Sequence, residues 1–156
     1  MTDGTHSAGP AGILPADEYQ RILRCIPILC VDVVLTNERG QYLLVRRTNA
    51  PMKDVWWVPG GRVLKGESLE AALARKMREE LGIAVRSLGP IGYFEVHHED
   101  DPRGGAEGVH QVSVVFAAEP LSLDIRLDNQ SAEWGFFDAL PDRFARFTAF
   151  TSAVAR

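Results

Sequence analysis

Residues 26–35, IPILCVDVVL, carry one charge, Asp32, in an otherwise apolar run, and predict a buried strand. Asn37, Arg39 and Gly40 supply a turn, and residues 41–46 predict a second, antiparallel strand. A loop containing Pro51 follows. Residues 55–58 form a short strand stopped by Pro59, Gly60 and Gly61. The period then lengthens, and residues 69–81 predict a helix with Ser68 at its N-cap and Gly82 at its C-terminal end. Strands follow near 83–87, 91–97 and 110–117, the last two separated by a Gly-rich acidic loop, EDDPRGGAEG. A strand near 133–137 ends at Asp138, and Pro141 opens a last helix. Upstream, Pro15 opens a short helix with Asp17 and Glu18 in its first turn and Tyr19, Ile22 and Leu23 on one stripe. Residues 1–14, rich in Gly, Ala, Ser and Pro, read as a disordered tail, leaving 15–156 as a single domain. This order predicts an α/β fold, with a mixed sheet between helices.

On the long helix, with Leu69 at zero and about 100° per residue, Leu73 falls at about 40°, Met77 at about 80° and Leu81 at about 120°. Glu80, at about 20°, and Lys76, at about 340°, both lie inside that apolar stripe. Glu79 falls on its border. A buried lone carboxylate costs several kcal/mol unless a partner or a cation meets it. Two readings follow. One is a Lys76–Glu80 salt bridge at i,i+4. The other is a hard-cation site, with adjacent carboxylates beside a Gly-Gly backbone suiting Mg²⁺.

Composition narrows the partners. The 156 residues are 46% apolar and 24% charged, ordinary for a globular chain. Seventeen basic against 21 acidic residues give a net charge of −4, so there is no global basic field for nucleic acid. Phosphate would have to be met by a local cluster of cations, with metal. No apolar run approaches the roughly 18 residues a membrane span needs, and the first residues lack a secretory pattern. Cys25 and Cys30 make neither a metal pattern nor a disulfide, and reduced thiols agree with a cytoplasmic protein.

Gly61, five residues, Glu67, seven residues, then Arg75-Lys76-Met77-Arg78-Glu79-Glu80-Leu81-Gly82-Ile83 resembles the box of the Nudix hydrolases. Every fixed position matches except Lys76, where the family has Glu. The flanks Trp57-Val58-Pro59-Gly60 and Trp134-Gly135-Phe136-Phe137-Asp138-Ala139-Leu140-Pro141 are also similar to the family's, so the resemblance covers roughly residues 26–150. It implies an α/β/α sandwich, a divalent cation and hydrolysis of a nucleoside diphosphate linked to another group.

Lysine cannot ligate Mg²⁺ or take a proton from water while charged. The GDP-mannose mannosyl hydrolase branch also departs at this position, and releases GDP and free sugar by cleaving at the sugar carbon. Residues 31–34, Arg46-Arg47-Thr48-Asn49 and Trp57-Val58-Pro59-Gly60-Gly61-Arg62-Val63 resemble that branch. The resemblance implies metal ligation by the Gly60 carbonyl and Glu80, with Glu67 and Glu79 supporting the metal or the box geometry and Arg75 pairing within it. Mg²⁺ is the expected ion, with Mn²⁺ as the alternative. The branch's third ligand and catalytic His lie in the loop before the late Trp strand. Here Asp128 can fill the ligand's place, but that loop holds no His. His97 resembles a His that lines the branch's site; His98 points to the other side of its strand. The branch also implies a homodimer.

Other residues have a physical reading of their own. Asp32 needs a partner, Arg47 or Arg46, either as a structural ion pair or to orient an arginine toward a nucleotide. Arg62, just after the Gly-Gly turn, can clamp a phosphate and stabilise a departing diphosphate. The expected function is Mg²⁺-dependent hydrolysis of a nucleoside diphosphate sugar, by Arg62, Glu79, Glu80 and His97. The alternatives are a pyrophosphohydrolase cutting P–O bonds of ADP-ribose, a sugar nucleotide or an oxidised nucleotide, and a non-catalytic nucleotide-sugar sensor.

Overall fold

A computed structural model describes residues 15–48, 53–99, 108–129 and 131–148. Strand β1 (Ile28–Leu35) is buried from Cys30 to its end, as its apolar run demands. The chain enters it from helix α1 (Ala16–Leu23). It leaves through β2 (Tyr42–Arg47), β3 (Trp56–Trp57), β4 (Gly60–Arg62) and helix α2 (Leu69–Leu81). Strands β5 (Val85–His98), β6 (Val109–Pro120) and β7 (Ser131–Phe137) follow, then a 3-10 helix, Asp142–Phe147. Two sheets result. One is mixed, in the order β4-β1-β6-β5, with β1 parallel to β6; the other is antiparallel, in the order β3-β2-β7.

The α/β/α expectation holds, with differences of detail. β1 and β2 do not form a hairpin. They share one bridge, Thr36 to Tyr42, because β4 and β6 already fill both edges of β1 and β2 turns into the second sheet. Gly60 and Gly61, expected with Pro59 to stop a strand, instead begin one with Arg62. A Cβ on Gly60 would lie 2.3 Å from the Val31 carbonyl oxygen, so only glycine permits this approach. The two strands expected over 83–97 are one, with register shifts at Ser87/Gly89 and Pro90/Gly92 that absorb the proline. The last helix is 3-10. The expected tail, Asn49, Pro51, most of the acidic loop and Gln130 lie outside the described residues.

α2 matches its expected bounds. The Ser68 hydroxyl accepts from the Ala71 N–H at 3.1 Å, and Gly82 closes the helix in the left-handed region at φ 69°. Its buried stripe packs Ala72, Leu73, Met77 and Leu81 on Val31, Val33, Leu35 and Phe116. A second core lies on the opposite face of β1, where Val34, Phe94 and Val115 meet Val58 and Phe144. Both cysteines are free. No helix among the described residues is long and apolar enough to cross a membrane.

Candidate active site

Lys76 and Glu80 lie inside the apolar stripe of α2, and both are 8% exposed. Glu80 ties the helix to β4: its Oε2 accepts the Gly60 N–H at 3.1 Å. Its Oε1 meets Lys76 Nζ at 2.8 Å, and the same ammonium reaches Glu79 Oε2 at 3.3 Å. The lysine stem fills the space left by Gly61, where a Cβ would come within 2.7 Å of Lys76 Cε. Burial raises the Glu80 carboxyl above its ordinary range; Lys76 and the Gly60 N–H oppose this, and Asp128 adds to it. Burial would lower Lys76, but the Glu80 and Glu79 carboxylates outweigh it, so the ammonium is held charged.

Arg75 braces the base of the site. Its Nε and Nη2 grip Glu67 at 2.8 and 2.9 Å, Nη2 also donates to the Arg62 carbonyl at 2.8 Å, and Nη1 reaches Glu79 at 3.0 Å. Glu67 accepts the Leu64 N–H as well. The Arg75 hydrogen bonds hold its carboxyl below the usual range.

The opposite face of β1 carries a second polar group. Residues opposed in register share a face, so Asp32 with Gly60, and Cys30 with Arg62 and Ser113, define one side of the sheet. Asp32 is 4% exposed. Burial raises its carboxyl to about 7; hydrogen bonds from Ser113 and Trp57 and the charge of Arg47 oppose this, and Glu80 adds to it. Asp32 Oδ2 and Arg47 Nε are both buried without a hydrogen-bond partner. Arg46 is not the partner of Asp32, since it pairs with Glu133 at 2.8 Å. The Arg62 guanidinium lies 4.6 Å from the centre of the Tyr19 ring. Asp32 also helps raise the Cys30 thiol to about 12, after burial, the larger cause.

The structure therefore gathers Gly60, Glu79 and Glu80, with Asp128 close enough to act on Glu80 and donating its N–H to the Glu80 carbonyl at 3.2 Å. It places Asp32, Arg47 and Arg62 on the adjoining face. It does not bring His97 there. That side chain, 72% exposed, stands on the opposite face of β5 and stacks on His110. His98 is on the Asp32 face instead, with its pKa lowered by burial and by Arg143 and Arg47. Sequence reasoning passed over Ser113 and Arg143. Ser113 had a signal, as the lone hydroxyl inside the apolar run of β6; Arg143 had none.

Glu80 and Asp128 offer the oxygen donors a hard divalent cation selects, but both Glu80 oxygens are engaged, Oε1 by Lys76 and Oε2 by the Gly60 N–H, so an ion held by Glu80 and Asp128 would compete with the ammonium. Glu67 is held by the Arg75 fork. Glu79 shares its Oε2 between Arg75 and Lys76.

A carboxylate helix closed onto a Gly-Gly strand, with arginines on the adjoining face, defines a phosphate-handling hydrolase. The chain belongs to the Nudix hydrolase family: the NUDIX domain matches residues 27–148. The Low-salt glycan biosynthesis protein Agl8 of Haloferax volcanii is 33% identical over 139 residues, 88% of each chain. The ADP-ribose pyrophosphatase of Methanocaldococcus jannaschii is 30% identical over 112 residues, 72% of this chain and 62% of that one. Among solved structures, a MutT NUDIX hydrolase from Burkholderia pseudomallei is 28% identical with a TM-score of 0.61, covering 81% of this chain and 98% of its own. The MutT protein from Methanosarcina mazei Go1 shares the fold at a TM-score of 0.66 and 24% identity, covering 83% of this chain and 96% of its own. Nudix hydrolases generally use divalent metal ions.

Proposed function

We propose that the protein hydrolyses a nucleoside diphosphate sugar at the sugar carbon, releasing a nucleoside diphosphate and free sugar, as in the GDP-mannose branch. The observation that carries this is the commitment of every carboxylate of the box: Glu67 to Arg75, Glu79 to Arg75 and Lys76, and Glu80 to Lys76 and the Gly60 N–H. A water attacking phosphorus would have none of them free as its base. Attack at an anomeric carbon depends more on stabilising the leaving group. In this reading Arg62 and Arg47 receive the diphosphate, with Arg47 near enough for its charge to act on buried Asp32. Mg²⁺ at Glu80, Asp128 and Gly60 would neutralise charge on the leaving diphosphate. The water oxygen bonds to the sugar carbon, and the carbon–oxygen pair leaves with the diphosphate. His98, whose pKa burial and then Arg143 and Arg47 lower, accepts the proton in this reading. Likeness to a glycan-biosynthesis protein along most of both chains supports a sugar nucleotide. The reading extends to a cytoplasmic homodimer, the latter tested by light scattering.

The test is hydrolysis of GDP-mannose in ¹⁸O-water with Mg²⁺. Label in mannose is expected, and Glu80→Gln should abolish turnover. Label in phosphate would establish P–O cleavage instead, the reading that the ADP-ribose pyrophosphatase relative favours.

A further inference from the structure

We propose that Glu95, His97 and His110 form a second metal site, for a borderline cation of the Zn²⁺ class, on the outer face of the β5–β6 ladder. The backbone fixes its geometry. His97 and His110 are directly opposed in register, and Glu95 lies two residues before His97, so all three side chains leave the same face of the sheet. The two imidazoles stack with centroids 4.2 Å apart and ring planes 24° from parallel. Both present Nε2 to one carboxylate oxygen, with Glu95 Oε1 at 2.9 Å from His110 and 3.6 Å from His97. All three donor atoms lie within 4.8 Å of one another.

The two distances to Glu95 Oε1 suit a tetrahedral ion, and the stacked imidazoles would turn about their side-chain bonds to aim both Nε2 lone pairs at it. Metal–nitrogen and metal–oxygen bonds of about 2.0–2.1 Å set ligand–ligand edges of about 3.3 Å, which 2.9 and 3.6 Å bracket. Two imidazoles and one carboxylate match Zn²⁺, Co²⁺ or Ni²⁺, not Mg²⁺, which selects oxygen. The ligands are exposed or half-buried, so little desolvation opposes binding, and the remaining position is open to water or to an external ligand. Glu80 and Asp32 take no part in this set, so the site is independent of the hydrolytic one.

The test titrates metal-free, full-length protein with Co²⁺ and Zn²⁺ in excess Mg²⁺, which occupies the all-oxygen donors. The visible spectrum of Co²⁺ should become the intense spectrum of a four-coordinate ion, and Zn²⁺ should displace it. His97→Gln and His110→Gln should each weaken binding by more than about tenfold, while His6→Gln and Glu80→Gln leave it unchanged. Circular dichroism checks that each variant is folded. Lack of a four-coordinate Co²⁺ spectrum in the unsubstituted protein, or binding that survives both histidine substitutions, would overturn the proposal.

Discussion

Lys76→Met keeps the length of the side chain and its packing on Gly61 but removes the ammonium. Glu80 would then remain 8% exposed with only the Gly60 N–H to satisfy it. Deleting one partner of a buried ion pair costs about 3–5 kcal/mol, because the other charge is left uncompensated. For a domain of this size each kcal/mol moves Tm by roughly 2–4 °C, so a fall of about 6–20 °C is expected. The pH dependence identifies the cause. Burial already raises the Glu80 carboxyl above its unfolded value of 4.5, and losing Lys76 raises it further. A raised carboxyl binds more protons folded than unfolded, so stability falls as pH climbs from the unfolded value through the folded one. The deficit of the variant should be fully developed near neutral pH and fade toward pH values of about 4 and below. Thermal melts in EDTA across that range read it out. Adding Glu80→Gln should recover most of the loss, and Mg²⁺ should recover part of it. A variant melting within about 2 °C of the unsubstituted protein at neutral pH would refute the assignment of Lys76 as the compensating charge. So would a double variant with no recovery.

Three further outcomes are expected. Gly60→Ala places a methyl 2.3 Å from the backbone oxygen of Val31 and should abolish folding or solubility; Gly61→Ala meets only the flexible Lys76 stem, and its melt should show a folded, weakened protein. Asp32→Asn removes a carboxyl that burial raises to about 7. Its charge costs stability increasingly from the unfolded value of 3.8 up to about 7, so the variant's Tm should gain on the parent between about pH 4 and pH 7 and hold that gain above, with little difference at the acid end. Arg75→Lys loses the two-pronged grip on Glu67 and the link to the Arg62 carbonyl. It should cost about 2–3 kcal/mol by urea denaturation at pH 7. Glu67 is held below its ordinary value, so that loss should shrink as pH falls through the depressed carboxyl pKa.

The helix was legible because its evidence is local. Ser68, Gly82 and a 3.6-residue apolar period determine both ends and the buried face, and the same period places Lys76 and Glu80 inward. β4 was not legible, because what permits it is a close approach to Val31 that no feature of Gly-Gly-Arg itself reveals. The choice between Arg46 and Arg47 had the same difficulty. Strand alternation groups Arg46 with Tyr42 and Leu44 of the core on the Asp32 side, and the register shift between Arg46 and Arg47 in the β2–β7 ladder, which no local signal shows, breaks that pattern. His97 and His98 were separated by alternation too, and only the register of β5 on β6 and of β6 on β1 assigns His98 to the Asp32 side.

The salt bridge expected between Lys76 and Glu80 and the departure of Lys76 from the family's Glu belong to one arrangement. The substitution that removes a carboxylate also supplies the cation that lets Glu80 stay buried against β4. A site of carboxylates alone would depend on an added ion to offset their repulsion. Here the ammonium is covalently attached, so the pocket is assembled before any ion arrives, and a divalent ion joins a site whose charge is already partly balanced. Such an ion should therefore bind less tightly than it would with Glu at this position, and Lys76→Glu should raise Mn²⁺ affinity. Electron paramagnetic resonance titration reads this directly, and an unchanged or weaker affinity would sink the argument.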